Sequence, residues 1–170
     1  MTWQNRIVGH DNVPPDQLLA HPGNWRIHPK YQQEALRGVI NDIGYIKSVT
    51  VNKLTGRVVD GHLRVTLALR DGIPTIPVEY VELTEAEEAE ALLTLDPIAA
   101  LAGSDKDNLE TLLKQVNTDD AAVMELLNKI GVESGAIIPD FEPVGIDEQG
   151  RLDQKKPVIC PECGHEFTPK

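Results

Sequence analysis

Val58-Val59-Asp60-Gly61-His62-Leu63-Arg64 is the stretch that decides the fold. Two β-branched residues run into Asp-Gly, which breaks a strand, and His62–Arg70 then reads as a helix. Leu63, Val65, Leu67, Ala68 and Leu69 supply its buried positions, and Asp71-Gly72 ends it. A strand that feeds a glycine and then a helix leaves orphan N–H groups and the positive end of the helix dipole at one spot. That is an anion site. Gly61 puts no Cβ in the way of a phosphate, while His62 and Arg64 place donors beside it, Arg64 with a fork suited to phosphate oxygens. The same residues admit a plainer reading, in which Asp60 caps the helix and His62 and Arg64 are solvated first-turn residues.

Upstream, Ile46–Asn52 alternates and is β-branched, Thr55-Gly56 marks a turn, and Arg57-Val58-Val59 is the return strand. Before it, Tyr31, Ala35, Leu36, Val39, Ile40 and Ile43 fall on one face at helical spacing, with Gly44 as the stop. Residues 1–29 read as irregular, with a short strand near Arg6-Ile7-Val8 and a helical turn over Asp16–Ala20. Downstream, Thr75–Val81 is β-rich, and Pro77 within it suits an edge strand. The expected fold class is α+β: a small mixed sheet from residues 46–52, 57–60 and 75–81, flanked by helices at 31–43 and 62–70.

Past this layer the chain changes character. Thr84-Glu85-Ala86-Glu87 is a capping box that opens a helix to about Leu95, where Asp96-Pro97 interrupts it and Ile98–Ala102 adds a short piece. Leu109, Leu112, Leu113 and Val116 mark a further helix, and Ala122, Val123, Leu126, Leu127 and Ile130 another, closed by Gly131. The expected organisation is a domain over 1–82, an acidic helical subdomain over 83–131, a linker over 132–157 and a flexible tail over 158–170.

The net charge of −11 is unevenly spread. Residues 1–81 hold nine Lys+Arg against seven Asp+Glu, residues 82–131 three against twelve, and residues 132–170 four against eight. An anionic ligand therefore docks on the first part, and the remainder repels a phosphate backbone, so no extensive duplex-DNA contact is expected. Acidic helices that only keep the chain in solution fit the same numbers. No apolar run is long enough for a membrane span and no signal-peptide core follows Met1, which points to a soluble, cytoplasmic protein.

Asn24-Trp25-Arg26-Ile27-His28-Pro29-Lys30 forms a second polar cluster ahead of the first long helix. Folded over the Gly61 turn, it lets Arg26 and His28 close a phosphate site from the other side; otherwise it is an ordinary lead-in to the helix, with Trp25 as a core plug. Here the sequence resembles the ParB N-terminal domain family, above all its phage- and mobile-element-associated members. The likeness rests on an ordered set. It comprises Asn24-Trp25-Arg26, a helix ending Ile43-Gly44-Tyr45, the strand Ile46–Asn52, Val59-Asp60-Gly61-His62-Leu63-Arg64 and Gly72-Ile73-Pro74-Thr75-Ile76-Pro77-Val78. The acidic run from Thr84 to Pro97 adds to it, and the similarity covers about residues 5–131.

The resemblance implies a ParB/sulfiredoxin-type fold and a bound nucleoside triphosphate, CTP or ATP, with Mg²⁺. It assigns phosphate or nucleotide contacts to Asn24, Arg26, His28, Asp60, Gly61, His62 and Arg64. Partition proteins carry a G-E-R-R motif where this chain has Gly61-His62-Leu63-Arg64; the acidic position is absent, which leaves CTP hydrolysis and a clamp cycle without support. Sulfiredoxins hold a catalytic Cys in this turn and this chain does not. Nor do residues 84–131 show a basic recognition helix.

Cys160-Pro161-Glu162-Cys163-Gly164 looks like one knuckle of a zinc ribbon, half of a four-ligand site. Zinc shared between two chains, zinc shared with a partner, and a metal-free remnant all fit. Function then divides in two. One expectation is a nucleotide-binding accessory protein of phage or plasmid DNA metabolism, a switch whose residues 83–131 contact a protein partner, with homodimerisation open. The other is an enzyme on the same scaffold, a small-molecule kinase or an Mg²⁺-dependent nuclease or NTPase, in which Asp60 or Glu79 would position the metal or act as base.

Overall fold

The computed structural model describes residues 2–138, together with the backbone of strands β5 (Val158–Ile159) and β6 (Glu166–Phe167). Strands β1 (Ile7–Val13), β2 (Val49–Asn52), β3 (Val58–Asp60) and β4 (Ile76–Val81) form one mixed sheet in the order β1-β4-β2-β3. β1 runs antiparallel to β4, β2 parallel to β4, and β2 antiparallel to β3. Helix α1 covers Lys30–Ile43, where Gly44 donates its N–H to the Ile40 carbonyl at 2.8 Å; α2 covers His62–Arg70. The expected α+β class with its flanking helices is the observed one.

Period-2 alternation puts Val49 and Val51 on one face of β2, and Ile76 and Val78 on one face of β4; Val58, Val65 and Ala68 complete the core cluster. Val49 and Ile76 have no exposed surface. Burying an aliphatic side chain so fully contributes about 1.5–3 kcal/mol, so the β2–β4 pair anchors the strand that leads to the turn.

Several boundaries differ from those read off the sequence. β2 starts at Val49, and Ile46 is exposed. β4 lies inside the sheet instead of at its edge. Pro77 is tolerated there because it faces Asn12 of β1 and stands one residue ahead of Val78, where pairing with β2 begins. Trp25 is not a core plug: it is half-exposed and donates Nε1–H to the Leu92 carbonyl.

Helix α3 (Glu85–Ala100) opens with the expected capping box, in which Thr84 and Glu87 satisfy each other's backbone N–H. It then continues through Pro97, where a break was expected. A proline inside a helix removes one hydrogen bond without always ending it. Helices α4 (Lys106–Gln115) and α5 (Ala121–Ser134) follow. Gly131 does not close α5. It is buried within the helix, where a Cβ would run into Ile137 and Leu113, and Gly135 is the left-handed residue at the end. Residues Met1–Ile137 make one compact unit and Ile138–Lys170 another. In the latter, β5 and β6 pair antiparallel, Val158 with Phe167 and Ile159 with Glu166. Cys160 and Cys163 lie outside the described residues.

Candidate functional site

Gly61 joins β3 to α2 in the left-handed region, at φ 97°. No side chain caps the helix there, so the reading of Asp60 as the cap does not describe this turn. A Cβ at residue 61 would stand 2.7 Å from Arg64 Nη1, 3.1 Å from Val49 Cγ2 and 3.2 Å from Val49 Cα. Both the φ angle and the packing therefore require glycine. The first-turn N–H groups of α2 are left for water or a ligand.

That turn forms one side of an open cavity of about 300 Å³. Asn24, Arg26 and His28 come to it from the loop before α1, Asp60 and Gly61 from the end of β3, and His62 and Arg64 from the first turn of α2. All seven residues expected to contact nucleotide thus share one cleft. Lys47, Gln32 and Leu36 line it as well, and Ala91, Leu92, Leu95 and Asp96 of α3 make a further wall. Glu79 is elsewhere, in mid-β4 opposite His10 and Thr50.

The cavity's charges are paired with one another. Lys47 Nζ is 2.9 Å from Asp60 Oδ2, and Arg64 Nη1 is 3.8 Å from the same oxygen and 3.3 Å from the Ser48 carbonyl. Arg26 stacks over Trp25 at 5.2 Å and is ion-paired with Asp96. Burial works to raise the Asp60 carboxyl. Lys47, Arg64 and the Gly61 N–H outweigh it and hold the group below the ordinary carboxylate range. For His62, burial above all lowers the imidazole below its usual value, against the pull of Asp60. Leaving the histidines aside, the three cations Arg26, Lys47 and Arg64 face the two carboxylates Asp60 and Asp96, a surplus of one positive charge.

Sequence reasoning missed Lys47, His21, Glu88 and Asp96. Glu88, in the first turn of α3, is fully buried: Oε2 accepts from Asn52 Nδ2 at 3.0 Å and Oε1 from the Thr55 hydroxyl at 3.1 Å. Asn52 also bonds the Leu83 carbonyl and N–H. A glutamate beside a capping box reads as a solvated residue, and no local signal marks it otherwise.

No protein-family model matches the sequence, and no curated protein matches it. Among solved structures, the chain is similar to the C-terminally truncated chromosome-partitioning protein ParB from Caulobacter crescentus complexed with CTP-γ-S. The TM-score is 0.52 at 21% identity, over 63% of this chain and 62% of that one. The fold is ParB-like. Two structures of a pNOB8-like ParB N-domain are also similar, at TM-scores of 0.42 and 0.47 with 10% and 11% identity. Each alignment covers 79% of this chain, and 66% and 48% of theirs. The chain thus spans less than two thirds of the Caulobacter chain. Among the described residues no helix is long and apolar enough to cross a membrane, and no group of three or more His, Cys, Asp or Glu could hold a metal.

Proposed function

We propose that this ParB-like chain binds a nucleoside triphosphate, CTP or ATP, as its Mg²⁺ complex, with the phosphates at the Gly61 turn. The observation that carries the reading is the convergence of an uncapped helix N-terminus with Arg26, Lys47, His62 and Arg64 on one cleft. A triphosphate exchanges the internal ion pairs for its own: Lys47 and Arg64 turn from Asp60 to phosphate oxygens, and Arg26 turns from Asp96. The ionised Asp60 carboxylate would then be the residue to hold the Mg²⁺. One carboxylate plus phosphate oxygens and water is a usual set for that ion.

In this reading the nucleotide acts as a switch for partner binding in phage or plasmid DNA metabolism, the setting suggested by the family members the sequence resembles. The helical residues 83–131 carry the partner surface. Leu93, Ile98 and Leu101 of α3 and its end are exposed, as is Leu112 of α4, large apolar side chains open for contact. A catalytic role on the same scaffold draws on Asp60 alone, because Glu79 is not on the cavity.

Calorimetric titration with CTP, ATP, ADP and GTP in the presence of Mg²⁺ tests the reading. One of the triphosphates binds the wild type, and Arg64→Ala weakens it by about 1.5–3 kcal/mol, the usual worth of a charged hydrogen bond. No binding of any nucleotide at millimolar concentration refutes it.

A further inference from the structure

The proton on His62 is set by a residue that the cavity lining does not include. His21 Nδ1 accepts the Gly23 N–H at 2.9 Å, so this nitrogen offers a lone pair and the ring proton is on Nε2. His21 Nε2 lies 3.4 Å from Oε1 of the buried Glu88, within charge-pair distance. Glu88 is itself fixed by Asn52 and Thr55, so the His21 ring is held at Nδ1 by the Gly23 N–H and has a fixed carboxylate beside Nε2. The backbone N–H of His21 then donates to His62 Nε2 at 3.3 Å.

A nitrogen that accepts cannot carry the proton, so the neutral His62 ring carries it on Nδ1. Among the described residues no buried side-chain nitrogen or oxygen lacks a hydrogen-bond partner, and His62 Nδ1 has none within them, so Nδ1 is open to solvent. His62 lines the cavity.

We propose that His21 is a positioning residue: anchored by Glu88, it fixes His62 in the tautomer that presents Nδ1–H to a phosphate oxygen. This rests on the phosphate reading of the cavity. Protonating Nε2 would set two N–H groups against each other, which keeps the ring neutral; burial acts in the same direction. His62 then contributes a directed donor whose orientation exists before the ligand arrives, so little rotamer freedom is lost on binding.

Nitrogen-15 NMR of the histidine rings in the full chain at neutral pH, without ligand, reads the tautomer directly. The expected spectrum has His62 Nδ1 protonated and Nε2 as acceptor; the reverse tautomer or an imidazolium overturns the proposal. His21→Pro removes the backbone N–H that donates to His62 Nε2: the His62 ring then becomes a tautomer mixture, and the Kd for MgATP or MgCTP rises about three- to tenfold. His62→Ala loses a similar factor, and the double variant loses no more than either. A His21→Pro protein whose His62 tautomer is unchanged also overturns it, and the wild-type spectrum decides if that variant does not fold. The expected tautomer with no nucleotide binding removes the phosphate reading and the donor role together. The wrong tautomer with nucleotide bound removes the role of His21 alone.

Discussion

The Lys47 ammonium lies 2.9 Å from Asp60 Oδ2, and this pair closes one side of the cleft in front of the Gly61 turn. Lys47 is largely exposed and Asp60 is not, so the pair matters less as a source of stability than as the reason the carboxylate stays ionised.

The first prediction concerns acid. A carboxyl whose folded-state pKa is lowered contributes stability that is present above its unfolded value and is lost as pH falls through the folded one. In Lys47→Ala the desolvation of Asp60 loses its main opponent, so its titration midpoint moves up and the contribution disappears at higher pH. Carboxyl carbon-13 NMR of Asp60 in the two proteins shows this shift, and an unchanged midpoint would mean that Arg64 and the Gly61 N–H suffice.

Gly61→Ala should fail twice over. The left-handed φ alone costs about 1–3 kcal/mol, and the new Cβ meets Arg64 and the Val49 backbone. Thermal unfolding should fall by that amount, and nucleotide binding should be lost even in the fraction that folds, since the methyl group displaces the Arg64 guanidinium.

Glu88→Ala removes the acceptor of two donors, Asn52 Nδ2 and the Thr55 hydroxyl, and the carboxylate beside His21 Nε2. Each donor left unsatisfied costs about 1–3 kcal/mol. Asn52 keeps the Leu83 carbonyl, so a total loss of about 2–4 kcal/mol in denaturant unfolding is expected. A loss near zero would show that water replaces the carboxylate.

How much of this was legible in the sequence varies with the range of the interaction. The strand-glycine-helix unit around Gly61 is local, and its glycine, helix and donors stand where the sequence puts them. The loop from Asn24 to His28 does reach the turn, as its polar residues suggested. The rank of β4 in the sheet was not legible, because a proline reports on one residue's N–H and not on what lies to either side of the strand. Pro97 and Gly131 misled for a related reason. Both are punctuation by local rules, yet α3 continues past the first, and the second is there for its close approach to Ile137. Glu88 and His21 are 67 positions apart in sequence and meet only through the fold.

The tail carries a separate prediction. Cys160 and Cys163 supply two thiolates, and a structural zinc site usually takes four nitrogen or sulfur ligands. Purified protein should hold about half a zinc per chain, in a dimer that dissociates on chelation. One tightly held zinc per monomer would bring His165 and another side chain into the site, and no zinc at all would leave the pair as a remnant.

The central claim is that phosphates sit on the first turn of α2, and amide NMR of the full chain tests it most directly. On addition of MgCTP or MgATP, the backbone N–H signals of Gly61, His62, Leu63 and Arg64 should shift furthest, with those of Arg26 and Lys47 following at the same ligand concentration. Saturable binding that leaves the Gly61–Arg64 amides unmoved, while signals elsewhere shift, would contradict it.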